Sequence, residues 1–90
     1  MPAVMETIGA RLKRLRLERH MSSIEVGKRI RMSDNYIRQV ERSEHAPGFG
    51  MAADLAKLYG VSLDYIAGLT EHESNPYVRR LAPPHSGDLL

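Results

Sequence analysis

Residues Met21 to Glu44 read MSSIEVGKRIRMSDNYIRQVERSE, and the order of polar and apolar positions predicts two short helices joined by a tight turn. Ser22 followed three residues later by Glu25 forms a capping box, which starts a helix with Val26, Gly27 and Ile30 on its inner side. Arg31 and Met32 make the break. Ser33 is a second N-cap, because its hydroxyl can accept from backbone N–H groups that the next helix leaves unpaired. On that helix, beginning at Asp34, Ile37, Val40 and Glu41 share one face. Asp34, Asn35, Arg38 and Gln39 share the opposite one. All four outer residues hydrogen-bond: Asn and Gln can pair bidentately with adenine, Arg with guanine, and Asp can accept from the cytosine amino group. A solvated helix face has a similar composition, so the rest of the chain must decide between the two readings.

Ninety residues allow one domain, near the lower limit for a stable core without a partner subunit. The absence of cysteine excludes a disulfide framework and a thiolate metal site, as suits a reducing, cytoplasmic setting. No apolar run is long enough to span a bilayer, and MPAVMETIG lacks the basic start and apolar centre of a secretory signal. The net charge of +2 hides an uneven distribution. From Arg11 to Arg42 ten basic residues stand against four acidic, a net of +6; from Ser43 onward three stand against six, a net of −3. The basic half coincides with the two-helix stretch, the electrostatic footprint expected where phosphates supply affinity.

Outward from the central stretch, Met5, Ile8, Leu12 and Leu15 predict a first helix over about Met5 to His20, with Leu17 off the stripe and Met21 packing inward after it. His45-Ala46-Pro47-Gly48-Phe49 is a loop, with Phe49 expected to plug the core. A fourth helix over about Gly50 to Tyr59 should bury Ala52, Leu55, Ala56 and Tyr59 and stop at Gly60. Ser62 caps a short fifth helix holding Leu63, Ile66 and Ala67. No strand pattern appears, so the expected fold is all-α, five helices over residues 5–69. Residues 70–90, with Pro76, Pro83 and Pro84, are expected to form a mostly flexible tail in which Tyr77, Val78 and Leu81 could dock or strengthen a dimer.

Other chemistries find little support. Histidines 20, 45, 72 and 85 show no metal-ligand spacing, no strand-turn-helix elbow positions a nucleophile, and the glycines do not cluster into a phosphate cradle. No enzyme activity, metal or cofactor is expected.

Taken together, the chain resembles the lambda-repressor-like, Cro-type (XRE) helix-turn-helix domains over roughly residues 8–69. The matching pieces are Ile8-Gly9-x-Arg11-Leu12-Lys13-x-Leu15-Arg16, Ser22 with Glu25-Val26, and Ser33-x-x-Tyr36-Ile37-x-x-Val40-Glu41. Pro47-x-Phe49, Leu55-Ala56 and Gly60-Val61-Ser62-Leu63-Asp64-Tyr65-Ile66-x-Gly68 complete the series. The resemblance implies that Asp34, Asn35, Arg38 and Gln39 look into the major groove, that Ser23 and Ser33 contact phosphate, that Tyr36 touches phosphate or a thymine methyl, and that Arg16 and Glu41 form a partly buried structural ion pair. It also points to Leu63, Tyr65 and Leu69 for a dimer surface. Three departures stand out. Ser23 replaces a longer Gln, which shortens or removes one phosphate contact. Gly27 replaces a small alanine, weakening its helix by about 1 kcal/mol. Arg31 replaces the turn glycine, at a cost of about 1 kcal/mol if the backbone needs positive φ, which a phosphate contact from its guanidinium would offset.

The function so implied is a sequence-specific DNA-binding transcriptional regulator, a repressor acting as a symmetric homodimer on a palindromic operator in double-stranded DNA. The alternative is a protein-interaction module, antitoxin-like or an adaptor, that binds a protein partner and for which DNA contact is secondary.

Overall fold

A computed structural model describes residues 6–73. Its five helices are α1 (Ile8–Glu18), α2 (Ser23–Ile30), α3 (Asp34–Glu41), α4 (Phe49–Tyr59) and α5 (Leu63–Ala67), and no strand occurs among the described residues. The three serine caps fall where the sequence puts them. Ser22, Ser33 and Ser62 each accept from the backbone N–H three residues on, at 3.0, 3.1 and 3.0 Å. α1 begins later than the apolar stripe suggests, because Thr7 caps it by accepting from the Ala10 N–H at 3.0 Å. Met5 lies outside the described residues, as do Tyr77, Val78 and Leu81.

Leu12 and Leu15 of α1, Val26 and Ile30 of α2, Ile37 and Val40 of α3, and Leu55 and Tyr59 of α4 close one core together with Met51, Val61 and Ile66. α3 packs against both α2 and α1, while α4 and α5 pack on each other and flank the pair from α2 and α1 respectively. Two expectations about this core need correction. Phe49 does not plug it but is 77% exposed. It is the first residue of α4, on the stripe that continues through Ala52 and Ala56, and at its position that stripe has already run past the edge of the core. Ala67 is exposed too, and the inward positions of α5 are Tyr65 and Ile66.

Tyr65 fastens α5 to α1. Arg14 Nη2 donates to its hydroxyl and Arg11 Nη1 to its carbonyl, both at 2.6 Å, while the Arg11 guanidinium lies 4.6 Å over its ring centroid. Glu6 completes the arrangement, accepting from Arg14 Nε at 2.8 Å, Arg14 Nη2 at 3.0 Å and Arg11 Nε at 3.1 Å. The hydrogen bond from Arg14 is the largest influence on the Glu6 carboxyl, which is held below the usual carboxylate range. After α5 the chain folds back, and the Glu73 carbonyl accepts from the Ser62 N–H at 2.6 Å.

Candidate nucleic-acid interface

The outer surface of α3 depends on how its inner surface is held. Ile37 and Val40 are buried, and beside them Glu41 meets Arg16 of α1 in a bidentate pair, with Arg16 Nε donating to Oε2 at 2.8 Å and Nη2 to Oε1 at 3.0 Å. Arg16 Nη1 donates to the Met21 carbonyl at 2.9 Å. The two residues are 9% and 7% exposed. The hydrogen bond to Glu41 holds the guanidinium above its ordinary pKa, so Arg16 stays charged at all physiological pH. Gly9 adds a second constraint. A Cβ there would lie 2.3 Å from the Val40 carbonyl oxygen and 2.6 Å from that of Glu41, so α1 and α3 meet backbone to backbone. A glycine inside a helix ordinarily destabilises it, and nothing in the residue spacing marks Gly9 for this contact.

The turn before α3 is equally constrained. Arg31 adopts the left-handed conformation at φ 63°, ψ 44° and donates its N–H to the Gly27 carbonyl, to which the Met32 N–H also donates at 2.8 Å. A Cβ on Gly27 would fall 2.3 Å from the Met32 carbonyl oxygen. Gly27 therefore does more than tolerate close packing: this turn leaves no room for an alanine.

So held, α3 turns Asn35 and Arg38 fully outward, with Asp34 and Gln39 half-exposed beside them. Asp34 and Arg38 are themselves paired, Arg38 Nη1 donating to Asp34 Oδ2 at 2.6 Å. Arg31 and Ser33 are exposed at the N-terminal end of the ridge. Tyr36 is half-buried against the core, its ring centroid 5.7 Å from that of His45. Ser23 is nine-tenths buried, so its hydroxyl does not stand on the open surface as an outward phosphate contact would require; the helix start that carries it is what remains accessible.

The basic half of the chain is less available than its composition suggests. Arg11 and Arg14 are bound to Glu6, Arg16 to Glu41, Arg38 to Asp34 and Arg42 to Glu44. Arg19 reaches the Tyr59 and Leu15 carbonyls and pairs with Glu18 and Glu73. Lys13, Lys28, Arg29 and Arg31 form no ion pair with another described residue. The Asp34–Arg38 and Arg42–Glu44 pairs are local in sequence, whereas the hold of Tyr65 on Arg14 and Arg11 spans 51 and 54 residues and leaves no mark in the spacing.

A second surface lies where α1, α4 and α5 converge. Ile8, Pro47, Phe49, Leu63 and Leu69 border an apolar depression of about 300 Å³, and Phe49 and Leu69 are each 77% exposed. Of the three residues expected at a dimer surface, Leu63 and Leu69 are here. Tyr65 is not on open surface: it is 6% exposed and occupied by α1. Among the described residues, no group of three or more His, Cys, Asp or Glu side chains could hold a metal ion, and no helix is long and apolar enough to cross a membrane.

Two capped helices at a fixed angle, the second with a polar ridge standing clear of the core, define the helix-turn-helix class. The helix-turn-helix family model matches residues 12–66, and the chain belongs to that family, in its lambda-repressor-like, Cro-type (XRE) form. Among solved structures it is similar to the P22 c2 repressor protein in complex with synthetic operator 9T in the presence of Tl+, with a TM-score of 0.69 and 27% sequence identity over 73% of this chain and 100% of that one. No curated protein matches the chain.

Proposed function

We propose that this protein is a sequence-specific DNA-binding transcription regulator that acts as a repressor by occupying its operator. The observation that carries the reading is the division of α3: Ile37, Val40 and Glu41 fix it from within, and Asp34, Asn35, Arg38 and Gln39 stand together outside. Such a ridge fits the major groove and carries donors and acceptors for base edges. Arg31, Ser33 and Tyr36, in the turn and the first turn of α3, and the start of α2 at Ser23 are assigned to phosphates, which set register rather than sequence. The similarity to a repressor bound to its operator supports the same reading. The apolar depression bordered by Phe49, Leu63 and Leu69 supports a symmetric homodimer. Its two ridges would meet half-sites roughly 34 Å apart on a palindromic operator.

The test is a gel-shift titration on DNA upstream of the protein's own gene, repeated across salt. Engagement of about six phosphates lowers affinity by roughly 10³-fold between 50 and 200 mM salt. Sequence-independent binding would overturn the reading. The pairing of most arginines within the chain favours one rival, an antitoxin-like or adaptor module. A co-purifying protein partner combined with weak DNA binding would establish that rival instead.

A further inference from the structure

The pair between Asp34 and Arg38 gives the four ridge residues unequal parts. At 2.6 Å the Asp34 carboxylate holds one guanidinium nitrogen of Arg38 one helical turn away, and both side chains remain partly open to solvent. Arginine has five N–H donors in a planar fork and no acceptor, so one edge can be held by a carboxylate while the others point outward. Guanine needs such a presentation, because N7 and O6 accept two parallel donors. The pair also cancels the ridge's formal charge, since Asn35 and Gln39 are neutral.

Resting on the reading of α3 as the groove-facing helix, we propose that Asp34 is a positioning residue and not a base reader: it holds Arg38 for a guanine and, by neutralising it, keeps the ridge from binding phosphates indiscriminately. Selectivity then comes from two sources, a pre-aimed donor fork and a weakened attraction to any duplex. The two effects act in opposite directions on affinity, which separates this role from a structural one. Asp34 lies in the first turn of α3, where a negative charge also stabilises a helix; loss of that contribution alone would lower binding to every sequence.

The experiment selects binding sites from a randomised duplex pool with the unmodified protein, D34N, D34E, R38A and the D34N/R38A double variant, and measures affinity for a random-sequence duplex. Thermal melts verify that each variant is folded. R38A should lose guanine preference at one position by roughly tenfold or more. D34N should lose preference at that same position by about twofold to fivefold while binding the random duplex about twofold to fivefold more tightly. D34E should retain the preference, and the double variant should lose no more than R38A alone. Relaxation at a different base pair after D34N, additive with R38A, would make Asp34 a reader and overturn the proposal. Weaker binding of D34N to all duplexes would do the same in favour of a helix-start role. If the unmodified protein selects no sequence, the groove-facing reading fails and this proposal falls with it; if it does while Asp34 and Arg38 act independently, only the proposal fails.

Discussion

Arg16 makes three hydrogen bonds, two to Glu41 and one to the Met21 carbonyl, and is almost wholly buried. Breaking its pair from either side leaves a charge in low dielectric, so Arg16→Ala or Glu41→Ala should each cost about 3–5 kcal/mol, a large share of the roughly 5–15 kcal/mol that holds a small domain together. Replacing both residues with apolar side chains of similar volume should recover most of the loss. Urea denaturation of the singles and the double checks this, and equal instability of all three would refute it. Glu6 gives a pH signature. Because Arg14 and Arg11 lower its folded pKa, it stabilises the fold above the unfolded glutamate value of about 4.3. That contribution is lost as pH falls through the lower folded value. Glu6→Gln should reduce the melting temperature at pH 7 and shrink the difference from wild type as pH approaches 3. A difference that does not change with pH would mean the carboxylate's charge is irrelevant.

At the scale of elements, the turn between α2 and α3 gives the clearest test. Gly27→Ala ordinarily gains up to about 1 kcal/mol in a helix; here the Cβ meets the Met32 carbonyl oxygen, and the substitution should lower the melting temperature instead. Arg31→Gly relieves a left-handed arginine worth about 1 kcal/mol, so its melting temperature should be unchanged or higher. Its affinity for DNA should fall alike for all sequences, since a phosphate contact carries no base preference. Selective loss at one base position would place Arg31 among the readers. The capped helices were legible because Ser22, Ser33 and Ser62 act over three residues, a range a linear reading can see. The buried faces of α2 and α3 were legible for the same reason. Phe49 departs from its expected place because periodicity says which side of α4 a residue occupies, not where the core ends. The engagement of Arg11 and Arg14 was hidden because Tyr65 reaches α1 only after the chain has folded, and Gly9 because its neighbours are carbonyls, which have no sequence signature.

For the whole molecule, the proposed dimer rests on the patch bordered by Phe49 and Leu69. Substituting Asp at both positions leaves the core intact, because both side chains already face solvent. The doubly substituted chain should sediment as a monomer with an unchanged helical spectrum, and its operator affinity should fall by roughly 10²-fold as two linked half-site contacts become one. A dimer that persists would locate the contact elsewhere.

The two sides of α3 carry different liabilities. One is bound to Arg16 and pressed against Gly9, so almost any change there is felt through the whole bundle; the other is exposed or half-exposed and carries one ion pair of its own, between Asp34 and Arg38. On the proposed reading of this ridge, new targets are acquired by exchanging a few outward side chains at 34, 35, 38 and 39 while the scaffold is inherited unaltered. A ridge so placed lets what is recognised diverge faster than the fold that presents it.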